Sequence, residues 1–453
     1  MFEIKMPTGA GALLYILNQS ARYHADAYIV GGCVRDSLLG KTPNDWDICT
    51  SAKPDRVLAV MKEYNIRTIE TGLKHGTVTA LMYDGQYEIT TFRIDGDYSD
   101  NRRPDSVEFV DDIKADLSRR DFTINAMAYD RWDGLIDPFG GYTDLRMGVI
   151  RCVGNPDDRF GEDALRIMRA LRFASTYGFT IEEKTAEAIH KNKDLLNNIA
   201  VERIQSELMK MLCGKGVLDI LLEYKDVMAV IIPELGPCIG FDQNNRYHKY
   251  DVYDHIAHAV ANYYLGSDIS IKMALLLHDI GKPLCYTEDH NGGHFHGHGG
   301  FSKWYAERIM ERLRFDNKTR DEVVTLVGYH DADIHPSVNA VKRWLNKIGY
   351  DMLKKLLLVE MSDIMAHSEI NRKERLAICL QVRAIAEKIV AEQRCFQIKD
   401  LAINGHDVMG LGVPSGPVVG RVLNHLLDWV LDERIENERD ALLEEARRYL
   451  KYV

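Results

Sequence analysis

The feature that most constrains this chain is a change of period near Asp157. Before it, short apolar runs alternate with helical stretches; after it, apolar residues recur almost entirely at helical spacing. Strands are expected at Ala27 to Val30, Ile48 to Cys49, Thr77 to Met82, Tyr87 to Phe92 and Leu135 to Ile136, with helices at Val34 to Leu39 and Pro54 to Glu63. Ile94 to Asp112 is polar throughout and reads as a long loop, a length that is usually functional. Helices follow at 162–176, 181–192, 201–213 and 216–230, and the tail from about Ile398 holds a Gly-rich turn at 409–416 and a final helix. The fold class expected is an α+β head (a mixed sheet with helices) followed by an all-α neck, body and tail, at 1–150, 151–230, 231–395 and 396–453.

The eight Cys stand singly, without a CxxC pair, as reduced cytosolic thiols do. No segment approaches the roughly 20 apolar residues of a membrane span, so a soluble cytoplasmic protein without membrane contact is expected. The net charge of −11 argues mildly against nucleic acid. Charge is local, however, and Arg102, Arg103, Arg119, Arg120, Arg151, Arg166, Arg169 and Arg172 concentrate cations in one stretch.

Two segments in the first part carry chemistry. In AYIVGGCVRDSLLG a strand meets Gly31-Gly32 and then a helix, so backbone can approach a phosphate closely, with Arg35 in the first turn. Taken alone this is also an ordinary strand–helix turn. In Asn44-Asp45-Trp46-Asp47-Ile48-Cys49, residues two apart face one way, presenting Asp45 and Asp47 together. Two carboxylates so close are costly unless a cation separates them. Mg2+ suits the place, and a pair of such ions would activate an attacking 3′-hydroxyl and stabilise departing pyrophosphate. Glu88, in Tyr87-Glu88-Ile89, is the candidate third acid.

The segment Glu162 to Arg172 reads as a helix on which Asp163 and Arg166 are neighbours. One reading is a surface ion pair worth under about 1 kcal/mol. The other is base recognition: a carboxylate accepts from the exocyclic amine of adenine or cytosine while a guanidinium donates to the ring nitrogen. Guanine and uracil would set acceptor against acceptor, at on the order of 1–3 kcal/mol for each unpaired group.

The blocks GGCVRDSLLG, NDWDICT, DLSRRDFTINAMAYD and DPFGGYTDLRMGVIRCVGNPDDRFGEDALRIMRALRFA together resemble, in order and spacing, the class II tRNA nucleotidyltransferase and bacterial poly(A) polymerase superfamily over roughly 27–175. The resemblance implies that Gly32, Arg35, Arg120, Asp163, Arg166, Arg169 and Arg172 bind nucleotide and that Asp45 and Asp47 hold Mg2+. It implies addition of C, C and A to the 3′ end of tRNA from CTP and ATP, with tRNA also held by the tail. It makes 95–112, with Asp95, Asp97, Arg102 and Arg103, a flexible loop that helps to switch from C to A. Bacterial poly(A) polymerases carry a Gly-basic-basic-Phe element where this chain has ETGLKHGTVTALM, so CCA addition is preferred over polyadenylation or partial addition.

Ten of the sixteen His fall between His248 and His335. Imidazoles and carboxylates in several helical contexts suit a transition metal or Mg2+. The pattern resembles an HD domain over roughly 250–365, matching His255, His278, Asp279 and Asp363, with His298 and His330 at the positions of two-metal members and Lys282 after the pair. That implies either a phosphohydrolase or a helical body that keeps the pattern without the activity. An HD hydrolase with a nucleotide-sensing head is the competing function. His290, His294 and His296 read as solvent loop residues.

Overall fold

Ala27–Val30 (β1) carries no charged residue and is buried along its whole length, as a central strand must be. In the computed structural model, which describes residues 3–19, 25–73, 76–96, 106–264, 266–290, 292–392 and 395–451, β1 lies within a seven-stranded mixed sheet. The others are β2 (Ile48–Thr50), β3 (Arg67–Gly72), β4 (Thr77–Met82), β5 (Gly85–Thr91), β8 (Ala128–Asp130) and β9 (Gly134–Ile136), in the order β3-β4-β5-β2-β1-β8-β9. Among the described residues of this sheet, only β2 and β5 pair in parallel, with Ile48 opposite Ile89. Helices α1 (Thr8–Gln19), α2 (Gly32–Leu38), α3 (Pro54–Glu63), α4 (Ile113–Ser118) and α5 (Gly141–Met147) complete the head. A core of Tyr28, Val30, Cys49, Phe92, Leu117 and Ala128 lies against the sheet, each such side chain contributing roughly 1.5–3 kcal/mol if large and apolar.

Within the expected polar loop, the described residues include a ribbon of β6 (Arg93–Asp95) and β7 (Val107–Phe109), paired antiparallel with Arg93 opposite Phe109. Its members are short and charged, so no alternation betrays them. Asp97, Arg102 and Arg103 lie outside the described residues.

Beyond the head come α6 (Pro156–Glu162), α7 (Leu165–Tyr177), α8 (Glu183–Asn192), α9 (Val201–Leu212), α10 (Val217–Glu223) and α11 (Lys225–Ile231), with a short parallel pair β10 (Val149–Ile150) and β11 (Thr180–Ile181). Two expectations are corrected here. The helix at 162–176 is broken at Asp163, which takes φ −137° and ψ 102°. The helix at 216–230 is two helices, because Tyr224 at φ −107° and ψ 35° ends one and starts the next.

The chain divides into two compact units, Met1–Gly236 and Pro237–Val453. The second is helical: α12 (Val252–Asn262), α13 (Ile269–Leu277), α14 (His298–Arg312), α15 (Asn317–Tyr329), α16 (Val338–Ile348), α17 (Tyr350–Ala366), α18 (Arg372–Ala391), α19 (Gly405–Met409), α20 (Pro417–Leu431) and α21 (Arg439–Tyr449), plus a small hairpin of β12 (Thr287–Asp289) and β13 (Gly292–His294). After the Gly-rich turn the tail forms two helices rather than one. Val422, Leu426, Leu427, Leu442 and Ala446 from those helices share an apolar cluster with Leu401 and Val408. Among the described residues no helix is long and apolar enough to cross a membrane.

Candidate active site

Asp45 and Asp47 lie in the extended segment just before β2, not within it. The alternation still holds, since Trp46 and Ile48 are buried while Asp45 and Asp47 are exposed. On β5 the same logic buries Tyr87 and Ile89 and exposes Glu88. Because Ile48 is opposite Ile89, Glu88 comes to the side of the sheet that carries Asp47. Although Asp47 is exposed as a residue, protein around its carboxyl partly desolvates it and raises it above its ordinary value; Arg120 lowers it, and Glu88 and Asp45 raise it further. Among the described residues these three do not belong to the donor groups that converge within 4.8 Å, which all lie in the second unit.

Gly31 has φ 77°, and a Cβ there would come 2.9 Å from Nη1 of Arg120, so glycine lets that guanidinium lie against the turn. Arg120 Nη2 reaches Asp116 at 3.3 Å. Burial would raise Asp116, but the charges of Arg120 and Arg119 hold it below its ordinary value. Arg35 is nearly buried: Nη1 donates to Asn125 Oδ1 at 2.5 Å, and Nε and Nη2 donate to Asp36, each at 2.9 Å.

Asp163 and Arg166 do not pair with each other through their side chains. Asp163 Oδ1 accepts from Leu165 N at 3.1 Å, which caps the restarted helix, and Oδ2 accepts from Arg203 at 3.1 Å. Arg166 Nη1 donates to Glu162 at 2.5 Å and to the Arg159 carbonyl at 3.1 Å, while Nη2 donates to the Arg119 carbonyl at 3.0 Å. The surface ion pair weighed from spacing is therefore absent; each group is instead oriented by partners of its own.

One turn on, Arg169 Nε and Nη2 hold Asp121 Oδ2 at 2.8 and 2.5 Å, and Arg172 pairs with Glu207. Arg35, Arg169 and Arg172 all face the Phe173 ring, at 5.0, 5.4 and 3.7 Å from its centroid. Arg151 pairs with Asp144 and Glu182. The cation concentration seen in the sequence is thus largely compensated by acids. Sequence reasoning missed Arg203, Glu207, Asn125 and Phe173, none of which a local spacing marks.

Burial would raise Asp121, yet Arg169 and Asn125 hold it down to about 2. A shift from 3.8 to about 2 corresponds to roughly 2 kcal/mol of stability. The folded value is depressed, so this contribution is complete above about pH 4 and is lost as pH falls through about 2. Asp121→Asn is expected to lower urea stability by roughly 2 kcal/mol at pH 7, with the difference from wild type shrinking at pH 2.5. A difference unchanged between these pH values would show that the Asp121 charge is not its source.

The second unit collects imidazoles at helix ends. His255 lies in α12, His278 ends α13, His298 begins α14, His330 ends α15 and Asp363 lies in α17. Nδ1 of His278, His298 and His330 each meets the carbonyl three residues back, at 2.8, 2.9 and 2.8 Å, which assigns the proton to Nδ1 and turns the Nε2 lone pairs inward. Those nitrogens converge: His298 and His330 are 3.0 Å apart at Nε2, and His255 and His278 are 3.3 Å apart. The two lone pairs of the His298–His330 pair need a proton or a cation between them, and His278, raised by its carboxylates, carries the proton in its own pair. Asp279 lies between both pairs, with Oδ2 3.3 Å from His255 and 3.2 Å from His278, and Oδ1 3.3 Å from His298. Asp363 Oδ1 is 2.8 Å from His255 Nε2. Burial would lower His278, but Asp279 and Asp363 raise it to about 10.

The donors of His255, His278, Asp279 and Asp363 lie within 4.8 Å of one another, as do those of Asp279, His298 and His330. A third group of His248, His255 and His367 was not anticipated. Lys282 Nζ holds Asp279 at 2.6 Å and Gln243 at 2.8 Å. His290 and His296 are exposed as expected, whereas His294 is half-buried and meets Asp289 at 3.0 Å.

A sheet presenting carboxylates, continued by helices carrying clustered guanidiniums, suits nucleotidyl transfer, and the comparisons with known proteins give the class as nucleotidyltransferase. A family model described as the poly(A) polymerase head domain matches residues 27–151, one for an RNA- and SrmB-binding site of polymerase A matches 178–238, and one for tRNA nucleotidyltransferase domain 2 matches 300–446. The CCA-adding enzyme of Ligilactobacillus salivarius is 34% identical over 461 residues, covering 97% of this chain and 96% of the relative. That of Enterococcus faecalis is 55% identical over 189 residues, 42% of this chain and 46% of its own. The crystal structure of the Bacillus stearothermophilus CCA-adding enzyme in complex with CTP matches with a TM-score of 0.71 at 29% identity, over 99% of both chains. The chain belongs to the CCA-adding enzyme family.

Proposed function

We infer that this chain extends the 3′ end of tRNA by C, C and A, taking CTP and ATP and releasing pyrophosphate without a nucleic-acid template. The observation that carries this reading is the pairing, in one unit, of the Asp45, Asp47 and Glu88 face with a helix break that fixes Asp163 and Arg166 by separate partners. The family uses divalent metal; in this reading Mg2+ is held by Asp45 and Asp47, aided by Glu88, and would activate the 3′-hydroxyl and neutralise the triphosphate. Gly32 and Arg120 meet the nucleotide at the turn, and Arg35, Arg169 and Arg172 complete its cationic surroundings. Asp163 accepts from the exocyclic amine and Arg166 donates to the ring nitrogen, admitting cytosine and adenine. Residues 1–150 are the catalytic head, 151–230 the base-reading neck, 231–395 the body and 396–453 a tRNA-binding tail, in a cytoplasmic protein. With tRNA lacking its last three nucleotides and one labelled nucleotide at a time, CMP is incorporated alone and AMP only once CTP is present. AMP incorporation without CTP would contradict this order.

The His-rich cluster we read as an HD-type site for one or two divalent ions, transition metal or Mg2+, that hydrolyses phosphate esters. The fit rests on the converging Nε2 atoms and on two carboxylates able to balance a cation's charge. The two sites work independently in this reading. His278→Ala is expected to lower ester hydrolysis by a hundredfold or more (on the scale of several kcal/mol of metal assistance) while CCA addition by the same folded preparation stays near the wild-type rate. Equal loss of both activities would join the sites.

A further inference from the structure

The cavity beside the His cluster has a volume of about 560 Å³ and is lined by Asp279, His298, His330 and Asp363 together with Glu360 and Arg375. Glu360 lies on α17 three residues before Asp363, so the two side chains are neighbours on one helix face. It is 9% exposed, and its Oε1 is buried with no hydrogen-bond partner among the described residues. Its other oxygen meets only a weak donor, Cys379 Sγ at 3.6 Å. Leaving such an oxygen unpaired is costly, and an apolar residue of similar size would avoid that cost. A buried carboxyl at the wall of a cavity that metal donors also line is placed for proton transfer.

We propose that Glu360 is the general acid of this second site, donating its proton to the leaving oxygen of a phosphate ester of an aliphatic alcohol such as a sugar hydroxyl. The proposal rests on the phosphohydrolase reading above. Water forms the new bond to phosphorus as the bond from phosphorus to the ester oxygen breaks. The Glu360 proton passes to that oxygen, and a proton from the attacking water restores the acid, so the ester and one water give alcohol and phosphate. An alkoxide is too basic to leave unprotonated, which is why the acid is needed and why the leaving group belongs to this class. Burial raises Glu360 to about 8, with Asp363 and Asp331 adding to the rise and Arg375 opposing it. Ile364 and Ile378 add apolar surface to the cavity, which suits the organic part of an ester.

The test compares leaving groups. Wild type, Glu360→Gln and Glu360→Met are assayed with Mn2+ on phosphate monoesters and methyl diesters of p-nitrophenol and of phenol, with metal content and thermal melting measured on each preparation. p-Nitrophenolate leaves without a proton and reports an intact metal site; phenolate is more basic and its departure is assisted by one, as that of an alkoxide is to a greater degree. The folded variants are expected to lose on the order of 10²-fold on the phenyl esters and less than about threefold on the p-nitrophenyl esters. The Met variant, which removes the buried unpaired oxygen, carries the same comparison if the Gln variant does not fold. Equal effects on both leaving groups, or none, would remove Glu360 from the chemistry. Absence of hydrolysis by metal-loaded wild type would instead overturn the phosphohydrolase reading itself.

Discussion

Asp47→Ala and Asp45→Ala are each expected to reduce nucleotide addition on the order of 10³-fold or more, the rate equivalent of several kcal/mol of charge stabilisation at the transition state. Neither variant should melt below wild type when metal is removed. The reason lies in the sign of the electrostatics. Asp47 is exposed as a residue, yet protein around its carboxyl partly desolvates it and raises it above its ordinary value; Glu88 and Asp45 raise it further, with only Arg120 opposing. A folded acid with a raised value opposes folding once it ionises, so its removal relieves the metal-free protein at neutral pH. Asp45 and Asp47 are also exposed, flanking the buried Trp46, so neither truncation opens a cavity. Added Mg2+ should then raise the melting temperature of wild type more than that of either variant. A variant that adds nucleotides at the wild-type rate, or that unfolds markedly earlier without metal, would place these carboxylates outside the reaction.

Base choice should fail in a graded way. Asp163→Ala and Arg166→Ala are each expected to shrink the preference, in kcat/KM, for CTP over UTP and for ATP over GTP by roughly 10- to 100-fold, matching 1–3 kcal/mol for each unpaired group. The structure adds a distinction between them. Asp163 is held from outside by Arg203 and by its own cap to Leu165, so Arg203→Ala should weaken selectivity in the same direction but less. Arg166 is buried against Glu162 and two carbonyls, so its loss should also cost stability. Selectivity unchanged in Asp163→Ala and Arg166→Ala alike would put base reading elsewhere.

Much of the head was legible because its signals are local. Trp46 and Ile48, and Tyr87 and Ile89, mark buried faces at period two, and β4 at Thr77–Met82 lies where its pattern predicted. The order of helices followed from apolar spacing in the same way. The break at Asp163 was hidden because flanking residues keep helical spacing; an Asp whose side chain accepts from Leu165 N competes with the backbone ladder and wins. The partners that hold the arginines were hidden for another reason. Arg169 finds Asp121 and Asp163 finds Arg203 across separations of 48 and 40 residues, which no helical or strand period encodes. In the second unit the repeated His and His-Asp pattern pointed to the cluster. Which nitrogen each ring offers depends on carbonyls at the ends of α13 and α15, and Glu360 is one carboxylate among many until the cavity beside it is seen.

The product of the reaction distinguishes CCA addition from its alternatives. Purified protein is given tRNA lacking its last three nucleotides, all four nucleoside triphosphates and Mg2+, and the extended 3′ ends are sequenced. The expected result is a single product ending in C, C and A, with no further growth, obtained with wild type and with His278→Ala but not with Asp47→Ala. A homopolymer of A, a product that stops after C and C, or ends containing G or U would contradict it.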